Sequence, residues 1–209
     1  EGKLTGLAAY AEPPPELLKH FASQLRFEPK TGGFSRVNYL RPQRKDDAFH
    51  SFLTKFTREE VAASLQRNLE IQVCAFVSHW CEKTGRRNIG LAGGIAANVK
   101  LNQRIHELPC VDSIFIYPNM GDGGLAAGAA LAMSAVSPHV LKDSYLGRDF
   151  GVAEMERALE KSTFAYTRPQ DLAHQVADAL ADSKVVARCA GRMEWGPRAL
   201  GNRTVMFRP

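Results

Sequence analysis

Arginines dominate the chemistry of the carboxyl-terminal segment, where residues 191–203 read GRMEWGPRALGNR. From Gly191 to Pro209, Glu194 is the only acidic residue, against four arginines: Arg192, Arg198, Arg203 and Arg208. The planar guanidinium group binds phosphate or carboxylate in a bidentate fork, whereas a solvated charged face usually mixes in lysine. Glycine and proline give the segment a fixed, non-repetitive path. The pattern favours an anion-binding loop.

Two glycine-rich loops offer a second kind of chemistry. Gly93-Gly94 precedes a predicted helix, so a phosphate can approach its backbone, and Asn98 lies one turn further on, in reach of a ribose or base. Asp122 stands among three glycines, free to reach a metal or a nucleotide-bound cation. Each has a plainer interpretation: a Gly-Gly turn packs a strand against a helix, and an aspartate caps a helix.

Both loops belong to strand–loop–helix units. The sequence predicts strands at 88–92 and 113–117, with helices following to about Leu108 and Val136. Successive units of this kind pair their strands in parallel through a right-handed crossover. The loops should therefore emerge at one carboxyl edge of a sheet, where open α/β sheets bind ligands.

The remaining pattern predicts a mixed α/β chain in two parts. A capping box at Thr57–Glu60 begins a helix that Gly85 ends. A boundary is expected near residue 140. Further elements are predicted as a hairpin over 27–40 turning at Gly32-Gly33, amphipathic helices beginning near Val152 and Leu172, and a strand at 184–190.

Composition excludes several classes of protein. Of the 209 residues, 44% are hydrophobic and 23% are charged, a composition that argues against disorder. The formal net charge of +5 is too small for an obligate nucleic-acid binder. No apolar run approaches the length of a membrane span, and residues 1–11 do not have the pattern expected of a signal peptide. Four cysteines without a CxxC pair predict buried thiols in a reducing cytoplasm.

Three segments together resemble one family. GLAGGIAANVKLNQRI, YPNMGDGGLAAGAAL and GRMEWGPRALGNRT are similar to bacterial O-carbamoyltransferases of nodulation-factor and antibiotic tailoring, and residues 2–8 resemble that family's Gly-Lys loop. The resemblance implies an α/β fold: an actin/Hsp70-like (ribonuclease H-like) half-domain with a parallel-cored sheet at residues 1–140. It also implies the start of a second α/β domain at 141–209, similar to threonylcarbamoyl-adenylate synthases.

The resemblance also implies a reaction and its residues. Such enzymes take carbamoyl phosphate and ATP, form a carbamoyl-adenylate, and pass the carbamoyl group to a hydroxyl of a small-molecule or glycan acceptor. Asp122 matches the family's aspartate that binds a divalent metal, usually iron, and Arg198 and Arg203 would act on the anionic substrates as catalytic residues. The nucleotide would be held by Lys3, Gly93, Gly94, Asn98 and Gly123.

The chain also departs from the family pattern. The HxxxH pair that supplies further metal ligands has no counterpart and is expected before Glu1, while most of the second domain is expected after Pro209. In isolation the chain is therefore expected to be incomplete as a catalyst. Two alternatives stay open: a sugar-kinase-like phosphotransferase that yields ADP, and a non-catalytic RNA-binding module with salt-dependent affinity. No membrane or nucleic-acid partner is expected, and the sequence does not identify the compound that accepts the carbamoyl group.

Overall fold

The computed structural model describes residues 2–36, 48–134 and 141–208. It contains two compact units, residues 1–122 and residues 123–209, which are called the first and second unit below. The first unit contains helices α1 (Gly2–Leu7), α2 (Pro15–Gln24), α3 (Ala48–Leu53), α4 (Arg58–Thr84) and α5 (Val99–His106), and strands β1 (Leu25–Glu28), β2 (Gly33–Arg36), β3 (Asn88–Leu91) and β4 (Ser113–Ile116).

Helix α4 is the central element of the first unit, and its ends are determined locally. Thr57 accepts from the backbone N–H of Glu60 at 3.2 Å, while the Glu60 carboxylate accepts from the Thr57 N–H at 2.8 Å. Gly85 ends the helix at φ +68°, a conformation that suits glycine. The predicted capping box and glycine stop are both confirmed.

Strands β3 and β4 pair in parallel, from Asn88 opposite Ser113 to Leu91 opposite Ile116. Alternate residues of each strand are half-buried, and Ile89, Leu91 and Ile114 pack on the core between α4 and α5. The buried centre of this core consists of Val77, Cys81, Leu101, Ile105 and Val111. The predicted parallel pair, and with it the mixed α/β class, is confirmed; the actin/Hsp70-like arrangement stays a prediction.

The amino-terminal half of the first unit packs against α4. Strands β1 and β2 form an antiparallel hairpin, and the Trp80 indole N–H donates to the carbonyl of Gly32 at 2.9 Å. Gly32 supplies the predicted turn at φ +67°, but Gly33 belongs to β2. Residues 37–40 of the predicted hairpin lie outside the described residues. The Gly-Lys segment is helical, as α1, rather than an open loop.

The second unit contains three helices and a two-stranded sheet among its described residues. They are α6 (Leu125–Met133), α7 (Val152–Glu160), α8 (Leu172–Ala181), β5 (Val186–Cys189) and β6 (Arg203–Met206). Strands β5 and β6 are antiparallel, with Cys189 opposite Arg203. The helix predicted to reach Val136 ends at Met133, because Ser134 is extended. The predicted boundary near residue 140 stays a prediction.

The four cysteines differ in how deeply they are buried. Cys81 is buried, and Cys74 and Cys110 are half-buried; burial raises the pKa of the Cys74 and Cys81 thiols. Cys189 is exposed on β5, so the prediction of a buried thiol is wrong there, because Cys189 lies in a strand of which three of the four residues are exposed. Across the described ranges, no helix combines the length and apolar character needed to cross a bilayer.

Candidate functional site

The two glycine loops meet at the carboxyl ends of β3 and β4. The backbone N–H of Gly93 donates to the carbonyl of Met120 at 2.8 Å, and a Cβ placed on Gly121 would lie 4.0 Å from the Cα of Gly94. Asp122 follows directly, exposed, as the first residue of a short 3₁₀ helix that ends at Gly124. The prediction that both loops share one sheet edge is confirmed.

Gly93 is required by the backbone of its loop. Its φ is +91°, in the region that side-chain-bearing residues rarely adopt. A Cβ built on Gly93 or Gly94 meets no atom within 4 Å, so the loop borders open space. The backbone of this loop is therefore accessible, and the predicted nucleotide role of Gly93 and Gly94 stays a prediction.

Asn98 separates a short 3₁₀ helix, Gly94–Ala97, from α5, and it caps the latter. Its Oδ1 accepts from the backbone N–H of Leu101 at 3.1 Å. Its Nδ2 donates to Gln66 Oε1 at 2.8 Å, and the Gln66 Nε2 lies 3.3 Å from Asn98 Oδ1. The side chain is only 3% exposed, so the amide predicted to meet a nucleotide is engaged with α4 and α5.

A polar cavity of about 850 Å³ adjoins this amide pair. The segment from Thr5 to Pro13 forms one wall, and polar residues of α4 and α5 form the others: Gln66, Arg67, Glu70, Lys100 and Arg104. Ligand cavities commonly have volumes of roughly 300–1,000 Å³. This one is large enough for a nucleotide and is lined by three cationic side chains.

Glu70 is the buried charge of the cavity wall, with 5% of its surface exposed. Its carboxylate accepts from Gln66 Nε2 at 2.9 Å and lies 3.4 Å from Arg67 Nη1 and 3.8 Å from Arg104 Nε. Arg104 also donates to Glu107 at 2.9 Å. Glu12 also lines the cavity, so its wall carries both signs of charge: three cationic side chains and two carboxylates.

Lys3 lies apart from this polar cavity. It is exposed on α1 and lines a second cavity of about 640 Å³. That cavity is mostly apolar, with leucines of α1 and α3 and residues of α4 around it. Thr5, on the same helix, lines the polar cavity instead. The structure thus separates Lys3 from Asn98, and the nucleotide role of Lys3 stays a prediction.

In the second unit, Glu194 organises the arginine segment. One carboxylate oxygen accepts the backbone N–H groups of Leu200, Asn202 and Arg203 at 3.0, 2.7 and 3.1 Å. Desolvation raises the pKa of Glu194, but these bonds and one from its own N–H outweigh it and lower the pKa to about 2. The loop is therefore closed around a carboxylate.

The two predicted catalytic arginines differ in their surroundings. The Arg203 guanidinium donates to three backbone carbonyls, of Ala190, Asn202 and Gly191, at 2.9, 3.0 and 3.2 Å. These bonds join the end of β5 to the start of β6. Arg198 is half-buried in the same loop. The catalytic role of both arginines stays a prediction. Arg203 also stabilises the loop through its hydrogen bonds to backbone carbonyls.

In the described part of the chain, no set of further ligand side chains lies near Asp122 to hold a metal ion with it. No group of three histidine, cysteine, aspartate or glutamate side chains is close enough there to hold an ion. A divalent ion such as iron needs several such ligands. These residues alone therefore do not fit the metal that the resemblance implies, and no step below depends on it.

Sequence reasoning missed Gln66 and Glu70. They are four residues apart on α4, and polar residues on a helix are ordinarily solvated. They are buried by tertiary packing on α4, to which α1 and α5 contribute. Glu194 had a visible signal, since it is the lone carboxylate among four arginines.

Two family sequence models match the chain. The sequence model described as "Carbamoyltransferase N-terminus" matches residues 1–131, and that described as "Carbamoyltransferase C-terminus" matches residues 177–209. The first match covers both glycine loops and the polar cavity, and the second covers the arginine segment. The chain belongs to the carbamoyltransferase family.

Several curated relatives match the whole chain. The nodulation protein NolNO of Sinorhizobium fredii is 33% identical, and the nodulation protein NolO of Bradyrhizobium diazoefficiens is also 33% identical; both alignments cover 100% of this chain. Nodulation protein U of Rhizobium tropici is 30% identical over 82% of it. The chain spans 32%, 40% and 27% of these relatives, respectively, which is about a third of their length.

Proposed function

We propose that the natural protein is an O-carbamoyltransferase. It moves a carbamoyl group from carbamoyl phosphate, through an ATP-derived carbamoyl-adenylate, to a hydroxyl of a small-molecule or glycan acceptor. Family membership supports the transfer of a carbamoyl group. The observation that carries the nucleotide-dependent mechanism is the polar cavity, which Asn98 and Gln66 connect to the glycine loops.

The cavity and the loops have complementary tasks in this proposal. The loop at Gly93-Gly94 lets phosphate oxygens approach the backbone, and Lys100 and Arg104 supply positive charge along the cavity wall. Carbamoyl transfer develops negative charge on the carbamoyl oxygen and on the departing phosphate. Fixed cations and backbone N–H groups stabilise that charge without a covalent nucleophile.

The arginine loop has a separate task. Glu194 holds its backbone in one conformation, so Arg198 is presented from a preorganised loop. A guanidinium group held in this way can bind the phosphate of carbamoyl phosphate through two parallel hydrogen bonds. We assign Arg198 to donor binding and Arg203 chiefly to the shape of the loop.

Product analysis of the full natural protein tests the reaction. With ATP and carbamoyl phosphate but no acceptor, we expect pyrophosphate and orthophosphate as the carbamoyl-adenylate forms, and carbamoyl-phosphate-dependent exchange of pyrophosphate into ATP. AMP is released when the carbamoyl group passes to a hydroxyl or to water. Formation of ADP would favour the sugar-kinase-like alternative and overturn the proposal. Neither outcome depends on knowing the acceptor.

Lys100→Met tests the cavity as the site of the nucleotide. Loss of one cation should raise the Kd for ATP about tenfold, the effect of one hydrogen bond to a charged group. Lys83→Met is the matched control, because Lys83 lies over the Trp80 ring at 4.8 Å and does not line the cavity. Equal ATP affinity in the two variants would place the nucleotide elsewhere.

A further inference from the structure

Of the two paired amides, Gln66 lines the polar cavity, although Asn98 is the residue singled out by sequence. Both side chains are buried, Gln66 with 5% and Asn98 with 3% of its surface exposed, and Asn98 does not line the cavity. The two amides bond reciprocally, at 2.8 and 3.3 Å. A ligand in the cavity would therefore meet Gln66 first.

The orientation of the Gln66 amide is fixed by its neighbours. A carboxylate has only acceptors, so the Glu70 oxygen 2.9 Å away requires the Gln66 Nε2 to point toward it. Asn98 is oriented in turn, because its Oδ1 accepts from the Leu101 backbone N–H. Its Nδ2 must then face Gln66 Oε1. The carboxylate and the helix cap together exclude a flipped amide.

Hydrogen-bond capacity determines what Gln66 offers to a ligand. Both of its N–H groups are used, by Glu70 and Asn98. Its Oε1 accepts from Asn98 at 2.8 Å, and its contact with the Thr5 hydroxyl is long, at 3.5 Å. The second lone pair of this oxygen is therefore only weakly satisfied, and the amide presents an acceptor.

We propose that Gln66 is a specificity-determining residue of the nucleotide cavity, selecting a ligand that directs an N–H or O–H donor at its Oε1. Glu70 and Asn98 are positioning residues that hold this acceptor in place. The inference rests on the proposed function. Two groups of ATP have the required chemistry, the exocyclic amino group of the base and a ribose hydroxyl.

Binding of ATP analogues to the full natural protein tests the proposal. ITP replaces the amino group by a carbonyl, and the 2′- and 3′-deoxy forms of ATP each remove one hydroxyl. The wild type should bind one of these analogues at least about tenfold more weakly than ATP, because a buried acceptor loses its donor. The analogue affected identifies which donor Gln66 binds.

Gln66→Met should abolish that preference, with ATP binding about as weakly as the affected analogue. Glu70→Leu should reduce it, since the Gln66 amide is then free to flip, whereas Glu70→Gln keeps an acceptor and should restore it. Gln72→Met is the control: Gln72 lies on the same helix and accepts from the Phe27 N–H at 2.7 Å, away from the cavity. Because affinities are compared as a ratio, partial unfolding of a variant does not affect the result.

Two outcomes would overturn the inference alone. One is a wild type that binds ATP and every analogue equally; the other is a preference that survives unchanged in Gln66→Met. A wild type that neither binds nor cleaves ATP would overturn the proposed function first, and this inference with it. The two failures are therefore distinguishable.

Discussion

At the scale of single residues, Glu194 shows how one carboxylate can determine the conformation of a loop. Three backbone N–H groups from residues 200–203 converge on one of its oxygens. Folding lowers its pKa to about 2, so the ionised form is bound more tightly in the folded state. The stability that this provides is complete above the ordinary pKa of glutamate, about 4.3, and is lost as the pH falls through about 2.

Glu194→Gln should therefore be destabilising at pH 7, because a neutral amide oxygen accepts these bonds more weakly. The difference in urea midpoint between wild type and variant should be constant above about pH 5 and should shrink steadily between about pH 4.5 and 2. Fluorescence of Trp195, in the same loop, reports the transition.

Glu154→Gln is the control for that titration. Glu154 has only an exposed ion pair with Arg148, at 2.8 Å, so its replacement should barely change the midpoint. A difference for Glu194→Gln that stays constant down to pH 2 would show that the carboxylate charge does not hold the loop.

Residue types alone identified the glycine loops, Asp122 and the arginine segment as chemically distinctive. They could not reveal that Arg203 donates to three carbonyls or that Gln66 lies between Glu70 and Asn98. Arg203 reaches residues 12 and 13 positions away, and Gln66 and Asn98 are 32 positions apart; local sequence does not encode contacts at such separations. Glu194 is the exception, since its partners are six to nine residues away.

At the scale of elements, boundaries followed local signals wherever these existed. The capping box and Gly85 determine α4, and the parallel pairing of β3 and β4 follows from the repeated strand–loop–helix pattern. Strand β6 was not predicted, because its short apolar run becomes a strand only by pairing with β5. Likewise, the helix expected after Gly94 is interrupted, because Asn98 caps a new one.

Gly32→Ala should weaken the packing of the hairpin on α4. The residue has φ +67°, and an added Cβ would lie 2.9 Å from Cζ2 of Trp80. Strain and overlap together should cost about 1–3 kcal/mol of unfolding free energy. The neighbouring Gly33→Ala is the control, because its Cβ would meet nothing closer than 3.8 Å. Equal melting temperatures for the two variants would contradict this packing argument.

At the scale of the whole molecule, the net charge is modest, and the predicted functional residues are distributed over the two units. The net charge of +5 gives little long-range steering, so local arrangement must supply affinity for anions. The first unit holds the Gly93-Gly94 loop, Gly121, Asp122 and the polar cavity, and the second holds the arginine segment. The domain boundary that the sequence predicts near residue 140 stays a prediction.

The two tryptophans of the chain fall one in each unit, which allows the units to be followed separately. In a Trp195→Phe background, Trp80 reports the first unit; in a Trp80→Phe background, Trp195 reports the second. Gly32→Ala should lower only the Trp80 transition. Arg203→Lys should lower only the Trp195 transition, by about 1–2 kcal/mol, because lysine cannot donate to all three carbonyls. Each substitution removes contacts within one compact unit, so its effect on the stability of the other unit should be small. The effects of the two substitutions should therefore be additive. Parallel shifts of both transitions with either substitution would show that the units unfold as one.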